Sequence, residues 1–310
     1  MTSSQTMGFN KTTVALIMGL RPRQAAKNLF VYAALVFANR LTDVNAFVRV
    51  SCAFVLFSIA SGSIYLLNDI MDVEQDRLHP RKRLRPIASG RLPVPLAKAA
   101  LIILGPGSVV LAWYLSKLFG VTLATYLVLN VAYCFKLKHV VLLDVFTIAT
   151  GFVLRTVAGG LTIHVHISAW LLLCTLQLAL FLGFLKRRQE LVEQGEQAER
   201  TRAILEEYSL PFLDQMITIV AAVSIVCYSV YTVESDTARL HPHFWITVPI
   251  VIYGICRYLY LVYQRGMGGA PEEVLRTDRC MQVTIFLWFI VVMALFKFDT
   301  GGRILLGLAG

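Results

Sequence analysis

NDIMDVEQDRLHPRKRLRPIASGR, residues Asn68–Arg91, separates two long apolar runs and is dense in charge. Asp69, Asp72 and Asp76 stand at i, i+3 and i+7. If the preceding helix continues through them, all three carboxylates lie on one face. Three acids on one face repel each other unless a cation sits among them. Hard divalent cations such as Mg2+ take oxygen ligands and bind through a few carboxylates together with substrate phosphates. Arg77, Arg81, Lys82, Arg83 and Arg85 follow directly. Acids for a metal with bases for phosphate oxygens behind them fit a metal–diphosphate site. The plainer alternative is a charged loop between two membrane helices.

Composition favours a membrane protein around this loop. The 310-residue chain is 57% hydrophobic and only 15% charged, with a mean hydropathy of +0.66. That is too apolar for an ordinary soluble domain. The net charge of +10 is spread over short loops between apolar runs, which argues against a nucleic-acid binder and for membrane topology. The six cysteines fall mostly in apolar runs, without C-x-x-C spacing, and read as small buried hydrophobes.

Hydropathy predicts an all-α integral membrane protein with about nine transmembrane helices, at 28–40, 46–67, 94–116, 121–135, 140–161, 169–185, 212–233, 244–263 and 281–297. Residues 1–27 form a cytoplasmic N-terminal segment whose stretch 13–27 suits an interfacial helix, and 28–310 form the transmembrane domain. With the N-terminus inside, 21 of the 29 Lys and Arg fall on the inner side, the asymmetry expected of a multi-pass cell-membrane protein. The second and sixth spans each lead into a large charged loop, 69–92 and 186–210. This suggests two four-helix units plus one helix. The second loop is expected to be helical.

Polar chemistry gathers at the inner ends of mostly clean spans, which favours an interfacial enzyme with a lipidic substrate over a transporter with midplane sites. Arg155 is the exception, deep inside a span, with Asp144 eleven residues before it, on the same helix face. A charge there is costly and points to a functional role, the alternative being an ion pair with another helix. His164 and His166 read as a surface turn, and Gly266–Gly269 lacks the context of a phosphate loop.

The N-D-x-x-D-x-x-x-D run resembles the first aspartate-rich motif of the UbiA superfamily of membrane prenyltransferases. RPRQAAKNLFVYAAL, LKHVVLLDVFTIATGFVLRTVAGG, FLKRRQEL, EEYSLPFLDQM and RYLYLVYQRGMGGAPEEVLRTDR are similar to its polyprenyl-phosphate phosphoribosyltransferase branch over nearly the whole chain. Ala25–Ala26 replaces an aromatic usual there, and KRRQEL with Asp214 stands where aromatic prenyltransferases carry D-x-x-x-D. The resemblance implies a helical fold around a central cavity open to the cytoplasmic face. It implies Mg2+-dependent transfer of phosphoribose from phosphoribosyl pyrophosphate to a polyprenyl phosphate at the membrane. Asp69, Asp72 and Asp76 would hold the metal. Lys27, Lys82, Arg83, Lys136, Lys138, Arg155, Lys186, Arg187 and Asp214 would contact substrate, with Tyr65, Asn68 and Tyr133 orienting it. Competing readings are an aromatic prenyltransferase using a prenyl diphosphate, and a transporter or lipid-binding scaffold. A homo-oligomer is compatible with all of these.

Overall fold

The computed structural model describes residues 12–80, 82–194, 203–267, 274 and 276–305. Among them there is no strand, and eight helices are long and apolar enough to cross a membrane. These are α1 (Val44–Met71), α2 (Val94–Leu115), α3 (Lys117–Phe135), α4 (Leu143–Ile163), α5 (Ala169–Gln194), α6 (Leu210–Glu234), α7 (Val248–Arg265, led in by a 3-10 turn at Phe244–Thr247) and α8 (Arg279–Leu305). They match eight of the nine expected spans. The chain divides into two compact units, 1–138 with 154–166 and 139–153 with 167–310, the boundary falling within α4.

The stretch expected as the first span, 28–40, is not a long regular helix. Residues Pro22–Tyr32 wind as a 3-10 helix, and Ala33–Phe37 adds one short α-helix. Hydropathy does not report the reason, which is lateral. Asn28, 1% exposed, donates to Ser58 Oγ at 3.0 Å and Ser61 Oγ at 3.2 Å on α1. Gly159 on α4 admits the Val31 carbonyl so closely that a Cβ there would lie 1.9 Å from its oxygen. The expected interfacial helix is also cut short. Residues 12–19 are helical, but Arg21 turns left-handed (φ 54°, ψ 62°) before Pro22.

Local sequence explains the other element ends. Asp43 caps α1 by accepting the Ala46 N–H at 3.0 Å. Pro93 and Pro95 open α2, where missing amide protons cost nothing. Ser116, extended at φ −162°, is the whole turn between α2 and α3. The hairpin is that tight because a Cβ on Gly120 would meet the Trp113 backbone at 2.8 Å. Gly266 ends α7 in the left-handed conformation, φ 65°. Within the first unit α1 buries Ala46, Ala53, Ala60, Ser61, Gly62 and Ser63, small residues that let helices approach closely. Large residues such as Phe57, Phe119 and Tyr126 fill the core between them. The second unit has its own core around Phe181, Phe184, Leu213, Ile217 and Tyr258.

The second polar loop is helical through Gln194, as expected, and again as a 3-10 turn at Ala203–Glu207. Residues 195–202, with Glu196, lie outside the described residues, as does Arg81.

The Val31 contact makes Gly159 a sensitive position. Gly159→Ala is expected to lower the thermal unfolding temperature of the detergent-solubilised protein through overpacking, costing about 1–3 kcal/mol. Gly107→Ala, inside α2 with nothing within 4 Å of the added carbon, should leave it unchanged or raise it.

Candidate functional site

The first unit gathers the acidic motif, but not on one uninterrupted helix face. α1 ends at Met71 and a short helix, Val73–Leu78, starts after Asp72, whose backbone (φ −94°, ψ 10°) breaks the regular turn. Asp69 and Asp76, each 2% exposed, therefore share a neighbour that Asp72 does not. Arg85 Nη1 lies 3.2 Å from Asp69 Oδ1 and 2.5 Å from Asp76 Oδ2, bridging the two acids. Arg21 Nη2 reaches the same Asp69 Oδ1 at 2.5 Å, its guanidinium 5.0 Å from the Tyr65 ring centroid. Asp72 instead accepts from Asn68 Nδ2 at 2.9 Å and Lys138 Nζ at 3.1 Å. Three carboxylates thus meet three cations. Each buried charge is paired, as transfer out of water requires.

Among the described residues no three His, Cys, Asp or Glu side chains converge as a metal-holding group. The donor set still suits Mg2+. All three groups are carboxylates, the ligands that ion takes. Asp69 Oδ2 is buried and has no hydrogen-bond partner, so one acceptor oxygen is open to a cation.

The other predicted residues of this unit surround the motif in sequence but differ in exposure. Lys27 sits half-buried on the 3-10 segment, and Tyr133 half-buried on α3. Lys82 and Arg83 form a 3-10 turn after the acids, half-buried and exposed respectively, and Lys136 is exposed just past α3.

Arg155 and Asp144 do not act together as their shared helix face suggested. Arg155, 5% exposed, donates from Nε to Asn28 Oδ1 at 2.7 Å and from Nη2 to Tyr126 Oη at 2.9 Å. Its guanidinium lies 5.3 Å from the Phe57 ring centroid and 4.9 Å from that of Tyr126. Neutral acceptors and ring faces hold this charge.

Asp144 belongs to a cluster in the second unit. Fully buried, it accepts from Arg187 Nε at 2.7 Å and Tyr208 Oη at 2.7 Å. Tyr208 Oη in turn accepts the Leu142 N–H at 2.7 Å. Burial, and next the bond to Asp144, push the Tyr208 hydroxyl above its ordinary range. Arg187 also pairs with Glu190, so it is engaged as a strut inside the protein. Of its neighbours, Lys186 is 48% exposed and 4.0 Å from Glu190, while Arg188 donates to Asp214 at 2.6 Å. Asp214 also accepts from Tyr263 Oη at 2.7 Å.

Sequence reading did not assign Arg21, Asn28, Tyr126 or Tyr208 to a site, and counted Arg85 only as one of several bases. Arg85 had a signal, lying nine residues beyond Asp76. The others reach their partners from 48, 127, 29 and 64 residues away, beyond any local pattern.

The sequence profile described as the UbiA prenyltransferase family matches residues 28–198. A decaprenyl-phosphate phosphoribosyltransferase of Mycolicibacterium smegmatis is 36% identical over 95% of this chain and 96% of its own length. One of Corynebacterium glutamicum is 34% identical over 91% of this chain and 86% of its own. Among solved structures, a UbiA homologue from Archaeoglobus fulgidus bound to GPP and Mg2+ superposes with a TM-score of 0.70 at 15% identity, covering 91% of this chain and 99% of that one.

The Asp144 cluster yields a stability prediction. Asp144→Ala leaves Arg187 buried without its carboxylate and is expected to cost about 3–5 kcal/mol. Tyr208→Phe removes a single hydroxyl bridge and should cost about 1–3 kcal/mol. Thermal unfolding of both variants in the same detergent checks the order.

Proposed function

We propose that this chain, which belongs to the UbiA prenyltransferase family, transfers 5-phosphoribose from phosphoribosyl pyrophosphate to a polyprenyl phosphate and releases pyrophosphate. The observation that carries the reading is the set of three acids matched by three cations in the first unit, on a chain whose relatives of that name match it along nine-tenths of its length. Such a site offers acceptor oxygens for a cation and positive charge for phosphate oxygens side by side. We read it as lying at the cytoplasmic face of the cell membrane, because the basic residues concentrate in the loops on that side.

The acceptor phosphate is anionic near neutral pH and attacks C1 of the ribose without a side chain as base. The bond from C1 to the pyrophosphate oxygen breaks, and pyrophosphate leaves with the electron pair. The barrier lies in that departure and in the positive character at C1. Mg2+ held by Asp69, Asp72 and Asp76 would supply neutralisation of the leaving group's charge. Lys138, which donates to Asp72, and Lys27, Lys82, Arg83 and Lys136 would offer charge to the 5-phosphate and the pyrophosphate. Asn68 and Tyr65 flank the acids and help fix the sugar. Arg155 acts through Asn28. In the second unit Lys186 is the accessible cation of the KRR run, Arg187 braces Asp144, and Asp214 orients Arg188. The prenyl tail follows apolar helix surfaces.

Purified protein given phosphoribosyl pyrophosphate, Mg2+ and a polyprenyl phosphate should form a lipid-linked phosphoribose detectable by mass spectrometry. If it instead joins a prenyl diphosphate to an aromatic acid, while phosphoribosyl pyrophosphate neither reacts nor competes, the aromatic prenyltransferase reading is correct. Asp76→Asn should fold normally and lose roughly a hundredfold or more in turnover, since a metal ligand contributes several kcal/mol in the transition state. Lys82→Ala combined with Arg83→Ala should raise the Michaelis constant for phosphoribosyl pyrophosphate at least about tenfold and leave that for the lipid nearly unchanged, from charge-assisted contacts of about 1.5–3 kcal/mol each. An equal effect on both substrates would remove these two residues from the sugar subsite.

A further inference from the structure

We infer that Arg21 is a built-in competitor for the cation at Asp69, held in place by a strap, Pro22–Tyr32, that is pinned at Asn28. The inference rests on the reading of Asp69 as a metal ligand. Asp69 uses its two oxygens unequally. Oδ1 takes Arg21 at 2.5 Å and Arg85 at 3.2 Å, and Oδ2 is buried with no hydrogen-bond partner. Arg85 is shared with Asp76, whereas Arg21, among the described residues, forms its ion pair with Asp69. A divalent ion approaching Oδ2 meets that guanidinium across one carboxylate group. Like charges so close disfavour each other, and occupancy by one weakens the other.

Arg21 does not hang from a loose loop. Its own backbone is left-handed, φ 54°, a conformation unfavourable for a non-glycine residue that persists only where surroundings enforce it. The strap beyond it runs 11 residues as a 3-10 helix, whereas runs longer than about four are uncommon. Its fixed point is Asn28, bonded to Ser58, Ser61 and Arg155, with Arg155 itself held by Tyr126. Asn28 lies seven positions after Arg21, about 14 Å along a 3-10 helix at ~2 Å per residue. The network deep in the first unit thus sets the position of a charge at its polar end. Arg155 acts here as a positioning residue and not as a phosphate ligand.

The test is Mn2+ binding to the purified full-length protein without substrates, followed by electron paramagnetic resonance. Arg21→Gln is expected to bind Mn2+ about tenfold more tightly than wild type. Asn28→Ala, which touches neither acid, should shift affinity in the same direction by a smaller factor. Arg23→Gln removes the same charge from an exposed side chain two positions away and should bind as wild type does. Wild-type affinity in Arg21→Gln overturns the competition, and an equal gain in Arg23→Gln reduces it to a general field effect and likewise overturns it. Wild-type affinity in Asn28→Ala overturns the strap. If Asp69→Asn binds Mn2+ as tightly as wild type, Asp69 is not the ligand, and the metal reading fails together with the inference.

Discussion

A carboxylate that is 2% exposed at the end of a 28-residue apolar helix is the constraint on which the first unit depends. Asp69 can stay ionised there only if cations come to it. Two do, from opposite directions along the chain. Arg85 returns because the loop after the acids folds back: Ile87 and Leu92 are fully buried, the Leu92 N–H donates to the Pro86 carbonyl at 2.9 Å, and Gly90 takes φ 75°. Arg21 arrives because the strap docks on α1 and α4. The folded loop and the docked strap thus each bring one of the two cations that pair with the buried Asp69.

The opposite end of the same unit applies the same rule to backbone groups. Helix carbonyls at a C-terminus lack intrahelical donors. Arg49 donates to the Leu115 carbonyl of α2 and the Thr162 carbonyl of α4, both at 2.9 Å, and Arg40 donates to Ile163 at 3.2 Å. The basic residues of the expected outer segments are thus partly explained by helix ends. In this unit, charge serves helix termini at one end and carboxylates at the other, with small residues packing tightly between.

Much of this was legible in the chain. Runs of about 20 apolar residues located all eight long helices, with α5 and α8 running nine and eight residues past their expected ends, to Gln194 and Leu305. The acidic motif was legible by spacing, although the break at Asp72 sends its carboxylate to Lys138 and away from Asp69 and Asp76. In the segment 28–40 hydropathy, which averages over side chains, reveals neither the 3-10 winding nor the buried Asn28 amide. Asn28 is bonded to three side chains there, in the midst of apolar neighbours. Arg155 and Asp144 were placed together because helical periodicity relates only residues of one helix, yet each found its partners on others.

The sequence by itself determined where the eight long helices lie, that they are apolar enough for a membrane, and that acids and bases cluster at their polar ends. These follow from local propensity and from the partition of side chains between water and hydrocarbon, which act over a few residues. Tertiary structure alone decided which base meets which acid. Arg21 meets Asp69 across 48 positions, and Arg187 meets Asp144 across 43. Electrostatic pairing depends on distance in space and on burial, and neither exists until the helices have packed.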